Sequence, residues 1–204
     1  CPMRCGYCDT AYAFNAGNNF TIDQILETIT QYKTKNVTVT GGEPLAQKEC
    51  WELLKCLCDK GYTVSLETGG AISIREIDER VKIILDIKTP GSGEEKNNFW
   101  ENLELIKPKD EIKFVIIDIK DYIWAKEVLI REKLNEKYDM NFSNMSDSKI
   151  GSEIFIKKLN EAGVKTHAKL PSGKKVAIQT LRKTVELKEC IPDYIRFERP
   201  EFND

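Results

Sequence analysis

The feature that most constrains the fold is the alternation of short β-branched runs with segments whose apolar residues recur at helical spacing. FTIDQILETITQYK places Ile22, Ile25 and Ile29 on one helix face, and Thr21 with Gln24 forms the pattern of a capping box. NVTVT follows with the period of two that is typical of a strand. Strands that alternate with helices predict an α/β fold with right-handed crossovers and a parallel sheet.

The same alternation continues along the chain. Further strands are predicted at YTVSLE, VKIILDIK, EIKFVIIDI and YDMNFS. Further helices are predicted from Cys50 onward and at SIREIDER, NNFWENLELIK, DYIWAKEVLIREKLNEK and SEIFIKKLNEAG. The chain begins inside a motif, so a first strand is expected before Cys1. About six such units favour a partial (β/α)6 barrel over a two-layer fold, with residues 1–204 as a single domain.

The charge balance favours small-molecule partners. The 31 basic and 33 acidic residues give a net charge of -2, so there is no broad field to hold a nucleic acid or a membrane surface. No apolar run approaches the roughly 18 residues of a membrane span, and no signal segment leads the chain. A cytoplasmic protein is therefore expected.

Three cysteines lie in the first eight residues, CPMRCGYCDT. A structural zinc site needs four ligands, and the loop of Cys1, Cys5 and Cys8 has no fourth cysteine or histidine nearby. The one histidine, His167, is distant in sequence and is predicted to be a surface or hydrogen-bonded side chain. A bacterial ferredoxin run would supply a full set of cysteines. An iron-sulfur cluster held by three cysteines leaves one iron open for a substrate or cofactor.

The other four cysteines have a simpler interpretation. Cys50, Cys56 and Cys58 recur at helical spacing and are predicted to be small core residues, and Cys190 has no partner in the sequence. An odd number of cysteines without an export signal also argues against a disulfide framework.

Three unusual motifs each follow a predicted strand: GGEP, ETGG and KTPGSG. The carboxyl ends of parallel strands meet at one edge of a sheet, where ligands collect. We therefore expect these motifs to converge on one face. Adjacent glycines such as Gly41 and Gly42 allow a strand end to lie against a ligand, and Glu43 can accept from an ammonium group.

The cysteine spacing, with Tyr7 before the third cysteine and GGEP downstream, resembles the radical S-adenosylmethionine superfamily. The resemblance implies that the three cysteines hold a four-iron four-sulfur cluster whose unique iron is chelated by S-adenosylmethionine. It also implies cofactor contacts from Tyr7, Gly42 and Glu43.

CDTAYAF, ETGG and DIKTPGSG narrow the resemblance to the 7-carboxy-7-deazaguanine synthase family over residues 1–143, whereas residues 144–204 diverge from it. The resemblance implies that Thr10 binds Mg²⁺ beside the substrate carboxylate. It assigns the remaining site residues as Gly41, Glu67 and Thr68 for substrate and Lys88, Ser92 and Lys113 for the cofactor or a carboxylate.

The family's activity would convert 6-carboxy-5,6,7,8-tetrahydropterin to 7-carboxy-7-deazaguanine with loss of ammonia. A flavodoxin- or ferredoxin-type electron donor and a homodimer are the expected protein partners. Two alternatives are a glycyl-radical-enzyme activase, which would act on another protein, and a non-catalytic iron-sulfur or zinc-binding module, which would need four protein ligands per metal.

Overall fold

The computed structural model describes residues 1–8, 11–14, 17–134 and 139–144. Its sheet has five strands in the order β1-β2-β3-β4-β5, and each pairs in parallel with the next along the chain. The strands are β1 Asn36–Val39, β2 Thr63–Thr68, β3 Lys82–Ile87, β4 Glu111–Ile116 and β5 Asp139–Asn144. The predicted parallel α/β fold is confirmed, while barrel closure and a strand before Cys1 stay predictions.

The α-helices are α1 Ile22–Thr30, α2 Cys50–Asp59 and α3 Ile119–Arg131. The capping box of α1 is present as predicted, since Thr21 Oγ1 accepts from the Gln24 amide at 3.2 Å and Gln24 Oε1 accepts from the Thr21 amide at 2.8 Å. No helix in the described part of the chain is long and apolar enough to cross a membrane.

The core lies between the sheet and its helices. The largest fully buried side chains include Leu54 and Leu57 of α2, Leu66 of β2 and Phe114 of β4. Strands β3 and β4 each end in three consecutive buried residues, which is typical of parallel strands covered on both faces.

The cysteines of α2 behave as predicted, because Cys50 and Cys58 are buried in the core and Cys56 packs against it. Burial and the nearby Glu43 carboxylate raise the pKa of the Cys50 thiol to about 11. Cys190, His167 and the predicted helix at SEIFIKKLNEAG lie outside the described residues.

Two predicted helices are wrong. SIREIDER is an irregular loop in which the Ile74 amide donates to Asn102 Oδ1 at 3.0 Å and the Arg80 amide donates to Asp78 Oδ1 at 3.0 Å. Such side-chain bonds compete with helical hydrogen bonds. NNFWENLELIK instead contributes to two short 3-10 helices, Glu95–Asn97 and Trp100–Glu104.

Asn102 explains why NNFWENLELIK does not form the predicted α-helix. Its side chain is fully buried and also donates to the carbonyls of Ile72 at 2.9 Å and Gly70 at 3.3 Å. These bonds join Trp100–Glu104 to the loop after β2, and this long-range contact overrides the helical periodicity.

Replacing Asn102 by alanine is expected to lower the free energy of unfolding by about 1–3 kcal/mol, because the buried Ile74 amide loses its acceptor. Glu101→Ala is the matched control, since Glu101 is exposed in the same 3-10 helix. Urea denaturation measures both variants, and equal stabilities would contradict the assigned role.

Candidate functional site

The loop of three cysteines, residues 1–8, contacts the segments that follow three neighbouring strands. After β3, the Ser92 carbonyl accepts from the Gly6 amide at 2.9 Å. Within the loop the Cys8 amide donates to the Cys5 carbonyl at 3.1 Å and closes a turn between those two cysteines. Arg4 adds a contact with the same segment, as its amide donates to Glu94 Oε1 at 2.8 Å.

The GGEP motif after β1 packs directly against the first cysteine. A Cβ atom placed on Gly42 would lie 2.7 Å from Cys1 Cβ and 3.3 Å from Cys1 Cα. Glycine is required there because any side chain would displace the Cys1 backbone.

Met3 fixes the loop to the segment after β2. Its side chain is 3% exposed, and its Cε lies 2.2 Å from the position that a Cβ on Gly69 would occupy. GGEP, ETGG and KTPGSG therefore meet at one edge of the sheet around the cysteines, as their positions after strands predict.

A double-mutant cycle tests the Met3 contact. Gly69→Ala alone is expected to destabilise the protein by about 1–3 kcal/mol through overpacking, and Met3→Ala alone by about 2–5 kcal/mol through a cavity. The double variant is expected to lose less than the sum, because truncating Met3 makes room for the new methyl group. Strict additivity in urea denaturation would contradict the contact.

Glu43 is buried with both carboxylate oxygens occupied by donors of this chain. Oε1 accepts from the Leu45 amide at 3.1 Å and from Thr68 Oγ1 at 2.8 Å, while Oε2 accepts from the Gly69 amide at 2.8 Å. The carboxylate thus caps the short 3-10 helix Pro44–Ala46 and ties the end of β1 to the end of β2. Its predicted contact with the cofactor's amino group stays a prediction.

A row of polar side chains crosses the carboxyl edge of the sheet. Glu67 of β2 accepts from Thr40 Oγ1 at 3.5 Å and forms an ion pair with Lys113 of β4. Lys113 also lies 3.9 Å from Asp86 Oδ2 of β3, and the same oxygen pairs with Lys88 Nζ at 3.1 Å.

Charged side chains of this row interact electrostatically with Cys5 of the cysteine loop. Burial disfavours the charged form of Lys88, but the Asp86 carboxylate and the nearby Cys5 outweigh burial and raise the pKa of the Lys88 ammonium. Burial raises the pKa of the Cys5 thiol, and Lys88 partly offsets this rise. Lys88 is therefore a buried cation held in its charged form beside a loop cysteine.

Two buried polar atoms beside the loop make no well-formed hydrogen bond within the described residues: the Tyr7 hydroxyl, which has Ser92 as a polar neighbour, and Asp86 Oδ1. Burial, with the nearby Asp86 carboxylate, strongly raises the pKa of Tyr7. Buried polar groups are normally paired, so unpaired atoms of this kind indicate a position for ligand groups or ordered water.

The donor set fits an iron-sulfur cluster better than a single metal ion. Cys1, Cys5 and Cys8 are half-buried and form no disulfide with one another. Within the described ranges, no three His, Cys, Asp or Glu side chains are grouped to hold one ion. A single zinc would require such convergence, whereas in a cluster each thiolate binds a different iron.

The remaining predicted residues are placed as follows. Thr68 and Ser92 are buried at the same edge as the cysteines, while Thr10 lies outside the described residues. Met3 and Asp86 were missed by the sequence analysis. Asp86 precedes Lys88 by two residues, and the period of a strand could have indicated that both occupy the same face.

Comparisons with known proteins agree with this geometry. A family model described as "Radical SAM superfamily" matches residues 1–91. The 7-carboxy-7-deazaguanine synthase of Clostridium acetobutylicum is 33% identical over 150 residues, which cover 70% of this chain and 68% of that protein. The Chlorobaculum tepidum protein of the same name is 42% identical over 132 residues, 63% of this chain and 60% of that protein.

The crystal structure of Streptococcus suis SuiB bound to S-adenosylmethionine matches with a TM-score of 0.54 and 16% identity, over 81% of this chain and 44% of that chain. At this identity the match shows the fold alone. The cysteine loop and the parallel sheet that holds it define a protein of the radical S-adenosylmethionine class. Within that class the chain belongs to the 7-carboxy-7-deazaguanine synthase family, although it spans only about three fifths of the length of the Chlorobaculum tepidum relative.

Proposed function

We propose that this chain is a radical S-adenosylmethionine enzyme that converts 6-carboxy-5,6,7,8-tetrahydropterin to 7-carboxy-7-deazaguanine with loss of ammonia, assisted by Mg²⁺. The observation that carries the proposal is the contact of the cysteine loop with the segments after β1, β2 and β3. These contacts support the proposal because they hold the cysteine loop at the carboxyl edge of a parallel sheet, the edge where such folds usually bind ligands.

Cys1, Cys5 and Cys8 are the residues that would hold the cluster. When bound, the cluster and S-adenosylmethionine would supply the radical chemistry for reversible hydrogen abstraction at carbon 6 of the pterin. The chain's own contribution is positioning, since Met3 and Gly42 hold the loop against two strand ends. A flavodoxin- or ferredoxin-type protein is the proposed electron donor.

The polar row suits carboxylate-bearing ligands. Lys88 is 8% exposed and keeps its charge through Asp86, so it can bind a cofactor or substrate carboxylate in a poorly solvated place. Lys113 reaches both Glu67 and Asp86 and can bind a second carboxylate by exchanging one of these partners. Glu67, on β2, would accept hydrogen bonds from pterin N–H groups.

Thr10 is the proposed Mg²⁺ ligand. Thr10→Ala is expected to raise the Mg²⁺ concentration for half-maximal turnover about tenfold, equivalent to about 1.4 kcal/mol, while substrate-independent cleavage of S-adenosylmethionine continues. Product formation measured over a Mg²⁺ series tests this, with Thr21→Ala in the α1 cap as the control. Equal loss of both activities would contradict a metal role.

Isotope transfer tests the proposed function. Reconstituted protein is incubated anaerobically with dithionite, S-adenosylmethionine, Mg²⁺ and carboxytetrahydropterin deuterated at carbon 6. Loss of ammonia alone is redox-neutral, so the abstracted hydrogen must be returned to complete the reaction. We therefore expect mass spectrometry to find deuterium in the 5′-deoxyadenosyl group, either in 5′-deoxyadenosine or in re-formed S-adenosylmethionine. Formation of 7-carboxy-7-deazaguanine with no deuterium in either molecule would exclude abstraction at this carbon. Formation of 5′-deoxyadenosine without 7-carboxy-7-deazaguanine would contradict the pterin substrate and leave the glycyl-radical activase as the alternative, and a loaded cluster that forms neither product would favour a non-catalytic cluster module.

A further inference from the structure

Asp121 is a fully buried carboxylate in the first turn of α3 that takes no part in the function proposed above. Its Oδ1 accepts from the Gly91 amide at 2.7 Å, and its Oδ2 accepts from the Ile117 amide at 3.2 Å. One side chain thus joins the connection between β4 and α3 to the turn that follows β3.

That turn, the 3-10 helix Pro90–Ser92, is hydrogen-bonded to the cysteine loop. Ser92 is the residue after Gly91, and its carbonyl accepts from the Gly6 amide at 2.9 Å. Gly6 lies between Cys5 and Cys8. The Asp121 carboxylate is therefore linked to the centre of the loop by one side-chain hydrogen bond, to the Gly91 amide, and one backbone hydrogen bond, from Gly6 to Ser92.

Gly91 is also closely packed against Asp121 and Ile117. A Cβ atom on Gly91 would lie 2.5 Å from Asp121 Oδ2 and 2.6 Å from Ile117 Cδ1. The turn therefore lies directly on the carboxylate and on the Ile117 side chain. A shift of the carboxylate would be transmitted to the turn, because close-packed groups do not deform independently.

Capping of α3 does not account for this carboxylate. The N-cap residue is Asp118, whose Oδ1 accepts from the Asp121 amide at 2.9 Å. Both amides bound by the Asp121 carboxylate, those of Gly91 and Ile117, lie outside α3. The position of Asp121 at a helix N-terminus favours its negative charge. Of its two hydrogen bonds, the one from Gly91 holds the turn and the one from Ile117 holds the connection before α3.

We propose that Asp121 is a positioning residue for the cysteine loop, acting through Gly91 and Ser92 to fix the segment between Cys5 and Cys8. Its effect on the loop is independent of any bound group. Its effect on a bound cluster rests on the proposed function, because that function supplies the cluster.

The first test uses the protein without a cluster. In Asp121→Ala, hydrogen exchange at the Gly6 and Gly91 amides is expected to be at least about tenfold faster than in wild type, because a loss of about 1.4 kcal/mol in local opening energy gives this factor. Asp118→Ala, which removes only the helix cap, is the control and is expected to leave Gly6 protected.

Two further variants keep this test decisive. Asp121→Asn retains one acceptor oxygen and is expected to restore part of the protection at Gly6. Gly91→Ala disturbs the same contact from the other side and is expected to reproduce the effect of Asp121→Ala. Unchanged Gly6 exchange in both alanine variants, with core amides such as Phe114 still protected, would overturn the proposal.

The second test uses reconstituted protein. The electron paramagnetic resonance spectrum of the reduced cluster is expected to change in Asp121→Ala and to match wild type in Asp118→Ala. An unchanged spectrum would overturn the effect on the cluster. If wild type held no cluster, the proposed function would fail, while the exchange result at Gly6 would still decide the role of Asp121 in the loop.

Discussion

Replacing Cys5 by alanine is expected to remove the bound iron and to abolish the thiolate-to-iron absorption at about 400 nm after anaerobic reconstitution. Cys5 is the central residue of the loop, and its carbonyl closes the turn to Cys8. Two remaining thiolates cannot hold a cluster that already has only three protein ligands. Product formation is expected to fall to background, since all subsequent chemistry depends on the cluster.

Cys56→Ala is the matched control for this result. Cys56 is also a half-buried free cysteine, but it lies on α2 and packs against the core. This variant is expected to keep its iron and its spectrum. Iron retained in Cys5→Ala, or lost equally in both variants, would contradict the assignment of the loop as the cluster site.

The second large effect is expected at Glu43. Glu43→Ala removes the acceptor of the Leu45 and Gly69 amides and of the Thr68 hydroxyl, leaving three donors unpaired near the ends of β1 and β2. We expect the free energy of unfolding to fall by about 3–5 kcal/mol, because hydrogen bonds to buried charged groups are individually strong. Urea denaturation of the protein without cofactors measures this loss directly.

Two variants calibrate the Glu43 result. Glu43→Gln keeps the shape of the side chain and one acceptor oxygen, and it is expected to lose less stability than Glu43→Ala. Glu49→Ala removes an exposed carboxylate that makes no capping hydrogen bond at the start of α2, and it is expected to be close to neutral. If Glu43→Ala kept wild-type stability yet bound S-adenosylmethionine poorly, the carboxylate would serve the ligand rather than the scaffold.

Local sequence patterns correctly predicted the secondary-structure elements that are stabilised by residues close together in the sequence. Helix α1 carries its own cap in Thr21 and Gln24 and its own apolar face, so periodicity was sufficient. The segment NNFWENLELIK has similar periodicity but forms short 3-10 helices, because Asn102 bonds to residues about 30 positions earlier. No window of sequence contains that information.

The candidate site also combines features that the sequence predicted with features that it did not. Convergence of GGEP, ETGG and KTPGSG on one edge was predictable, since each motif follows a strand of a parallel sheet. The contacts of Met3 with Gly69 and of Asp121 with Gly91 were not, because they depend on the distances between loops that only the folded chain brings together. Asp86 acquires its importance only when β3 and β4 place it beside Lys113.

The most direct test of the central claim is a product assay on wild-type protein. Reconstituted protein receives dithionite, S-adenosylmethionine, Mg²⁺ and 6-carboxy-5,6,7,8-tetrahydropterin without oxygen, and products are read by mass spectrometry, with Cys5→Ala as the control. We expect 7-carboxy-7-deazaguanine from wild type, with 5′-deoxyadenosine only as a by-product of uncoupled cleavage, and neither from the variant. Formation of 5′-deoxyadenosine without 7-carboxy-7-deazaguanine would contradict the proposed substrate, and formation of neither from cluster-loaded wild type would contradict the proposed activity of this chain.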